Sequence, residues 1–324
     1  MRCHFMVSLA GLLGAAGATA VPPSPVAKQL YQFPNLTFIE NIAVRFNGHL
    51  LLNTFDQGRM YTIDPYADNP EPYVVAELSG SGQPVILTGI VEVAPDVFVV
   101  SGGDGGDNYD FLNGTAKIAK IDLNNCDDEA PTFTDVASIP SARILNGMVG
   151  LPLKPHVVLS VDSINGNLFR IDTSTGAVDI AWHNEKIGPG PNADIVPLGA
   201  NGLNIHRGYL YFTNSAQQFY GRIKINPRGD PVGDFEELYH FPANEAHVFD
   251  DFDMTHRGVS YVCSQRDSFV KITRDGKLRT IIDADSDVKL YSPTSVALSK
   301  DQKVAFIVTG GDETQGGQVV AVRL

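Results

Sequence analysis

Ile39-Glu40-Asn41-Ile42-Ala43-Val44 is the first of six short polar-then-apolar phrases in this chain. The others are Leu87-Thr88-Gly89-Ile90-Val91, Leu145-Asn146-Gly147-Met148-Val149, Ala200-Asn201-Gly202-Leu203-Asn204-Ile205, Phe249-Asp250-Asp251-Phe252-Asp253-Met254 and Pro293-Thr294-Ser295-Val296-Ala297-Leu298. They return at intervals of roughly 45–55 residues, the length of a four-stranded propeller blade built from strand formers and turns. The expected fold is therefore all-β: a six-bladed β-propeller of four-stranded antiparallel blades around a central channel.

Working outward from the first phrase, Ile42-Ala43-Val44 reads as an inner strand and Phe46-Asn47-Gly48-His49 carries an Asn-Gly hairpin signal. Leu50-Leu51-Leu52-Asn53-Thr54 reads as a second strand, apolar because both faces pack on neighbouring blades. Arg59 to Asp64 alternates as a half-buried third strand, and Pro72 to Ala76 supplies a fourth. The same order recurs from Val157, Tyr209, Val259 and Val304, and no stretch sustains helical periodicity.

Antiparallel pairing puts the start of each first strand and the end of each second strand on one face. Glu40, Thr88, Asn146, Asn201, Asp250 and Thr294, the second residue of each phrase, should then ring the channel mouth, with Thr88 and Thr294 as substrate contacts. The loops after the second strands share that face. The longest, Gly102 to Thr115, carries Asp104, Asp107, Tyr109, Asp110 and Phe111, and long loops in compact repeats tend to be functional. With Phe55, Phe219 and Tyr220 from other blades, the expectation is a polar floor beneath an aromatic rim.

The first twenty residues read as a secretory leader: a basic start at Arg2, an apolar run from Phe5 to Gly17 and an Ala18-Thr19-Ala20 cleavage site. Residues 21–36 read as a lead-in segment and 37–324 as one propeller domain. Sequons at Asn35-Leu36-Thr37 and Asn113-Gly114-Thr115 fit a secreted glycoprotein. No other apolar run is long enough to span a bilayer. The formal charge of −13, which becomes −14 once Arg2 leaves with the leader, argues against nucleic acid and anionic membranes as partners. Cys126 and Cys263 fall in opposite repeats, too far apart for disulfide geometry, so two free thiols are expected.

Glu40, Asn146, Asn201 and Asp250 offer only oxygen donors, two of them anionic, which suits a hard divalent cation such as Ca²⁺ or Mg²⁺ and no organic cofactor. Asn and Asp also begin strands simply to bond turns; Glu40 does not fit that explanation, because Glu is a poor turn former. His156, His183, His206 and His247 stand alone in sequence and read as surface or strand residues. Gly102-Gly103-Asp104-Gly105-Gly106-Asp107 lacks the lysine and the helix of a phosphate loop, and Trp182 reads as packing.

These residues resemble the senescence marker protein/gluconolactonase family of six-bladed propellers across essentially the whole mature chain. The resemblance rests on Glu40, Asn146-Gly147, Asn201-Gly202, Asp250 and Pro293-Thr294-Ser295-Val296-Ala297. It implies Glu40, Asn201 and Asp250 as ligands of one divalent cation, Asn146 as a substrate- or water-binding residue, and Asp250 as the base in lactone hydrolysis. Arg143 is the nearest match to the substrate-binding arginine of the sugar lactonases. Phe38-Ile39-Glu40-Asn41-Ile42-Ala43-Val44-Arg45 is similar instead to a secreted fungal branch of secondary metabolism, whose members resemble hetero-Diels–Alderases of tropolone sesquiterpenoid biosynthesis. That branch implies small hydrophobic biosynthetic intermediates as partners. Catalytic roles would then fall to Asp250, Asn146 and Glu40. Three functions stand in order: cycloaddition enzyme, metal-dependent lactonase and non-catalytic binding propeller.

Overall fold

The computed structural model describes residues 27–34, 36–106, 110–124, 130–190, 196–242 and 248–324. The expected leader, Asn35, Tyr109, Cys126 and His247 lie outside the described residues. Among the described residues every regular element is a strand, and no helix is long and apolar enough to cross a membrane.

Six four-stranded sheets follow one another in chain order. The first blade holds β2 (Ile39–Val44), β3 (Leu50–Thr54), β4 (Arg59–Ile63) and β5 (Tyr73–Glu77). The second holds β6 (Val85–Ala94), β7 (Val97–Asp104), β8 (Lys117–Asp122) and β9 (Thr134–Ser138), and the third β10 (Leu145–Leu151), β11 (Lys154–Asp162), β12 (Asn167–Asp172) and β13 (Ala177–His183). The fourth is β14 (Ala200–His206), β15 (Tyr209–Asn214), β16 (Phe219–Ile225) and β17 (Pro231–His240). The fifth is β18 (Val248–Met254), β19 (Ser260–Gln265), β20 (Ser268–Ile272) and β21 (Leu278–Ile282).

The sixth blade is composite. β22 (Pro293–Leu298), β23 (Val304–Thr309) and β24 (Gln318–Arg323) take their outer neighbour from the other end of the chain, β1 (Ala27–Gln32). Sequence reading left residues 21–36 outside the propeller; residues 27–32 in fact pair with β24, Ala27 opposite Val322. Gln318 Nε2 donates to Gln29 Oε1 at 2.6 Å across this seam. The signal is hard to see in sequence because an outer strand, half exposed, carries little apolar patterning.

The alternation of each strand explains why the blades adhere. Leu50 and Leu52 point one way, into a cluster with Phe306, Val308 and Val319 of the sixth blade. Leu51, between them, points the other way, onto Leu87, Phe98 and Val100 of the second. Similar apolar clusters fill the seams of blades two and three, three and four, four and five, and five and six. Each fully buried leucine contributes about 1.5–3 kcal/mol of transfer free energy. Cys263 is a free, buried thiol in the cluster between the fifth and sixth blades.

Candidate active site at the channel mouth

All six inner strands carry a register irregularity at the same place. It falls at Glu40, Thr88-Gly89, Asn146-Gly147, Asn201-Gly202, Asp250-Asp251 and Thr294. A bulge re-aims a side chain out of the pleat, so the ring read from the repeats is a ring of bulges. The glycines have a spatial cause. A Cβ on Gly89 would lie 2.3 Å from Asn146 O, one on Gly147 would lie 2.1 Å from Asn201 O, and one on Gly202 would lie 2.3 Å from Asp251 Oδ1. Each glycine lets the next inner strand close in.

The six positions then divide in function. Thr88 Oγ1 bonds Leu145 O of the next blade and lies 2.9 Å from Ser101 Oγ, and Thr294 Oγ1 donates to Ile39 O at 2.7 Å. Both threonines are fully buried. Their assignment to substrate contact is corrected accordingly: they fasten neighbouring blades.

Glu40, Asn146, Asn201 and Asp250 are also buried, with 3–8% of their surface exposed. Burial, and then the charges of Asp250 and Asp251, push the Glu40 carboxyl well above the usual range, so these three acids lie within electrostatic reach of one another. Burial drives Asp250 up to about 7, opposed by a hydrogen bond from Gln265 Nε2 to Oδ2 at 2.5 Å. Burial likewise lifts Asp251 to about 6.

Asp251 was not singled out in the sequence, yet it forms the floor. Its Oδ2 accepts from Asn41 Nδ2 at 3.0 Å and from Ser295 Oγ at 3.2 Å, joining the fifth, first and sixth blades. The doublet Asp250-Asp251 was the available signal, since a bulge turns two successive residues inward. Asn201 Nδ2 donates to Ser215 Oγ at 3.1 Å, while its Oδ1 is buried without a partner. The site is rich in acceptors and poor in donors. That composition fits a hard cation or a guest that brings hydroxyl protons. Among the described residues no three His, Cys, Asp or Glu side chains group as a metal site by themselves; an oxygen set of Glu40 and Asp250 would need Asn201 to complete it.

The aromatic rim is smaller than the sequence suggested. Phe111 is core between the second and third blades, with its ring packed over Gly103. Phe219 and Tyr220 lie inside β16, buried in two interblade clusters, and the Tyr220 hydroxyl sits 2.6 Å from Ser260 Oγ. These three are corrected to packing residues: Phe111 turns from its loop into the core, and Phe219 and Tyr220 belong to β16 itself. Phe55 remains half-buried at the mouth and stacks on Phe38 at 4.8 Å between ring centroids and 22° between planes. Phe38, two residues before Glu40, belongs to the phrase that carries the fungal-branch resemblance but has no site role of its own in the sequence reading. Arg143, partly exposed, pairs with Asp110. Asp104 holds Ser81, and Asp162 accepts bonds from four backbone N–H groups; both are loop anchors.

No family model matches the sequence. A protein of Sarocladium schorii named "Putative hetero-Diels-Alderase asR5" is 28% identical over 67% of this chain, and the match spans 58% of that protein's length. One of Phoma sp named "Putative hetero-Diels-Alderase" is 26% identical over 91% of this chain and 89% of its own. A gluconolactonase of Xanthomonas campestris superposes with a TM-score of 0.63 at 13% identity, over 93% of this chain and 89% of that one, a likeness of fold. The chain is a six-bladed propeller with the fold of gluconolactonase-like proteins, and in sequence it resembles proteins named as hetero-Diels–Alderases.

Proposed function

We propose that this protein is an enzyme of hetero-Diels–Alder cycloaddition. A hydroxymethyl tropolone or phenol loses water to give an o-quinone methide, which adds to a humulene-type alkene. The names of the two relatives support the reaction class. The observation that supports the reading is a buried acid pair, Glu40 and Asp250, in electrostatic reach of each other, with the stacked Phe38 and Phe55 rings bracketing the first two strands of the blade that carries Glu40.

Loss of water needs one group to take the ring hydroxyl proton and another to protonate the departing hydroxyl. Two carboxyls whose surroundings keep at least one protonated near neutrality can share those tasks. Asp250 would accept the proton and Glu40 donate one, with Asn146 and Asn201 orienting the substrate oxygens. Cycloaddition then forms one C–C and one C–O bond from existing π electrons, with no oxidant and no nucleophile. Holding the partners face to face is worth several kcal/mol, and the apolar Phe38–Phe55 wall suits a hydrocarbon.

If Ca²⁺ or Mg²⁺ binds, Glu40, Asn201 and Asp250 would hold it, and it would polarise a substrate oxygen. The unpartnered Asn201 Oδ1 beside the acids favours a second reading, a metal-dependent lactonase. The leader and the sequon at exposed Asn113 extend the proposal to a secreted glycoprotein.

The test is product analysis with purified protein, with and without EDTA, on a hydroxymethyl tropolone plus humulenol mixture and on an aldonolactone. A single stereoisomer of the adduct is expected. Racemic background adduct together with lactone hydrolysis lost in EDTA would establish the lactonase instead.

A further inference from the structure

Gln265 is the last residue of β19, paired with Val248 and half-buried at the mouth. Two other ring residues are also held from the second strand of their own blade or the residue just past it, Thr88 by Ser101 in β7 and Asn201 by Ser215 after β15. Those two serines are sealed from solvent. Gln265 differs in reaching Asp250 from a position that remains partly open to the mouth.

A carboxyl group turns freely about its last torsion unless an oxygen is tied. The amide bond to Oδ2 restricts that freedom, together with the Asn201 side chain and the Asp251 N–H that also bond the carboxyl, and it leaves Oδ1 outside the Gln265 contact. It also adds a donor to a site where carboxyl and amide oxygens outnumber N–H groups. A misplacement of about 1 Å at a reacting group can cost about 100-fold in rate, and productive geometry is held within about 0.5 Å.

We propose that Gln265 is a positioning residue for Asp250, fixing the carboxyl plane so that Oδ1 faces the substrate hydroxyl. The proposal rests on the cycloaddition reading for its substrate, but the geometric assignment is independent of which reaction Asp250 serves.

Gln265→Met keeps the side-chain length and removes the donor, whereas Gln265→Glu opposes an acceptor to an acceptor. Both variants are assayed on the tropolone–humulenol pair and on the aldonolactone, alongside thermal unfolding. For the activity the native protein shows, Gln265→Met is expected to lower kcat about 10- to 100-fold, with KM within about twofold and Tm nearly unchanged. Gln265→Glu should lower it at least as far. A fall in Tm that accounts for the lost activity, or native kcat in Gln265→Met, would overturn the proposal. A crystal structure of Gln265→Met decides independently of any activity: Asp250 must change its side-chain torsion, and an unchanged carboxyl sinks the inference. Absence of stereoselective adduct from the native protein counts only against the cycloaddition reading.

Discussion

Asp251 Oδ2 accepts a hydrogen bond from Asn41 Nδ2 at 3.0 Å although the two residues stand two blades apart, so the bond crosses the channel. Ser295 Oγ, from the blade between, bonds both partners, at 2.9 Å to Asn41 Oδ1 and 3.2 Å to Asp251 Oδ2. The knot closes the floor of the site and ties together the blades that meet where the two chain ends pair.

Removing one member leaves a deep carboxyl short of donors, which costs about 1–3 kcal/mol. Asn41→Ala is therefore expected to lower the urea midpoint by that equivalent, with Ser295→Ala milder because Asn41 still reaches Asp251. A midpoint equal to the native protein's in Asn41→Ala would show that the cross-channel bond contributes nothing to stability.

The buried acids set a pH dependence with a definite sign. Asp250 is lifted to about 7 and Asp251 to about 6 by burial, and Glu40 is raised as well, all above the roughly 4 of an unfolded carboxyl. Between those limits the folded chain binds more protons than the unfolded one, so stability falls as pH rises and levels off once the folded groups ionise. Burial raises Asp253 too, which adds to this slope, whereas His206, held by burial below the usual imidazole range, opposes it as a single group. The carboxyls of Asp122, Asp172 and Asp230 are shifted downward and act below about pH 4, outside this window. EDTA-treated protein should have a lower denaturant midpoint at pH 8 than at pH 5, and Asp250→Asn should flatten that slope. Added Ca²⁺ is expected to recover stability at pH 8 more than at pH 5, where protons compete for the same oxygens. A midpoint that climbs from pH 5 to 8 in EDTA would contradict the placement of these acids.

The blade repeat was legible because its signals are local: Asn-Gly turns, alternation, and apolar second strands such as Leu50 to Thr54. The ring was legible because six phrases align, which places Glu40 and Asp250 together without any knowledge of distances. What sequence reading could not supply was direction after a bulge. A single extra residue swaps inward for outward, and so Asp251 and Asn41 were passed over while Thr88 and Thr294 were given a substrate role. The rim failed for another reason. Phe219 and Tyr220 follow a turn in sequence, but β16 begins at Phe219, and the seams between blades take the largest side chains available.

That division among aromatics is open to direct comparison. Phe219→Ala empties a fully buried position and is expected to cost about 3–5 kcal/mol, read as a lower Tm. Phe55→Ala removes a half-buried ring from the mouth, so its effect on Tm should be small while KM for the hydrocarbon partner rises about tenfold. If Phe55→Ala instead lowered Tm as far as Phe219→Ala does and left KM alone, the Phe38–Phe55 pair would be packing and not a substrate wall.

Gly147 offers the most specific perturbation of the ring. Its missing Cβ would lie 2.1 Å from Asn201 O and 2.9 Å from Leu203 N, both backbone atoms of the next inner strand, so no side-chain rotation relieves the clash. Gly147→Ala must therefore push β10 and β14 apart, and Asn146 and Asn201 move with them. The expected result is a destabilisation of several kcal/mol together with loss of activity out of proportion to the folded fraction. Gly114→Ala serves as the control: that glycine has open space around it, and its cost is confined to its positive φ of 84°. Activity per folded molecule measured in both variants separates the two causes. Full activity in folded Gly147→Ala would mean that the spacing of the inner strands does not set the geometry of the site.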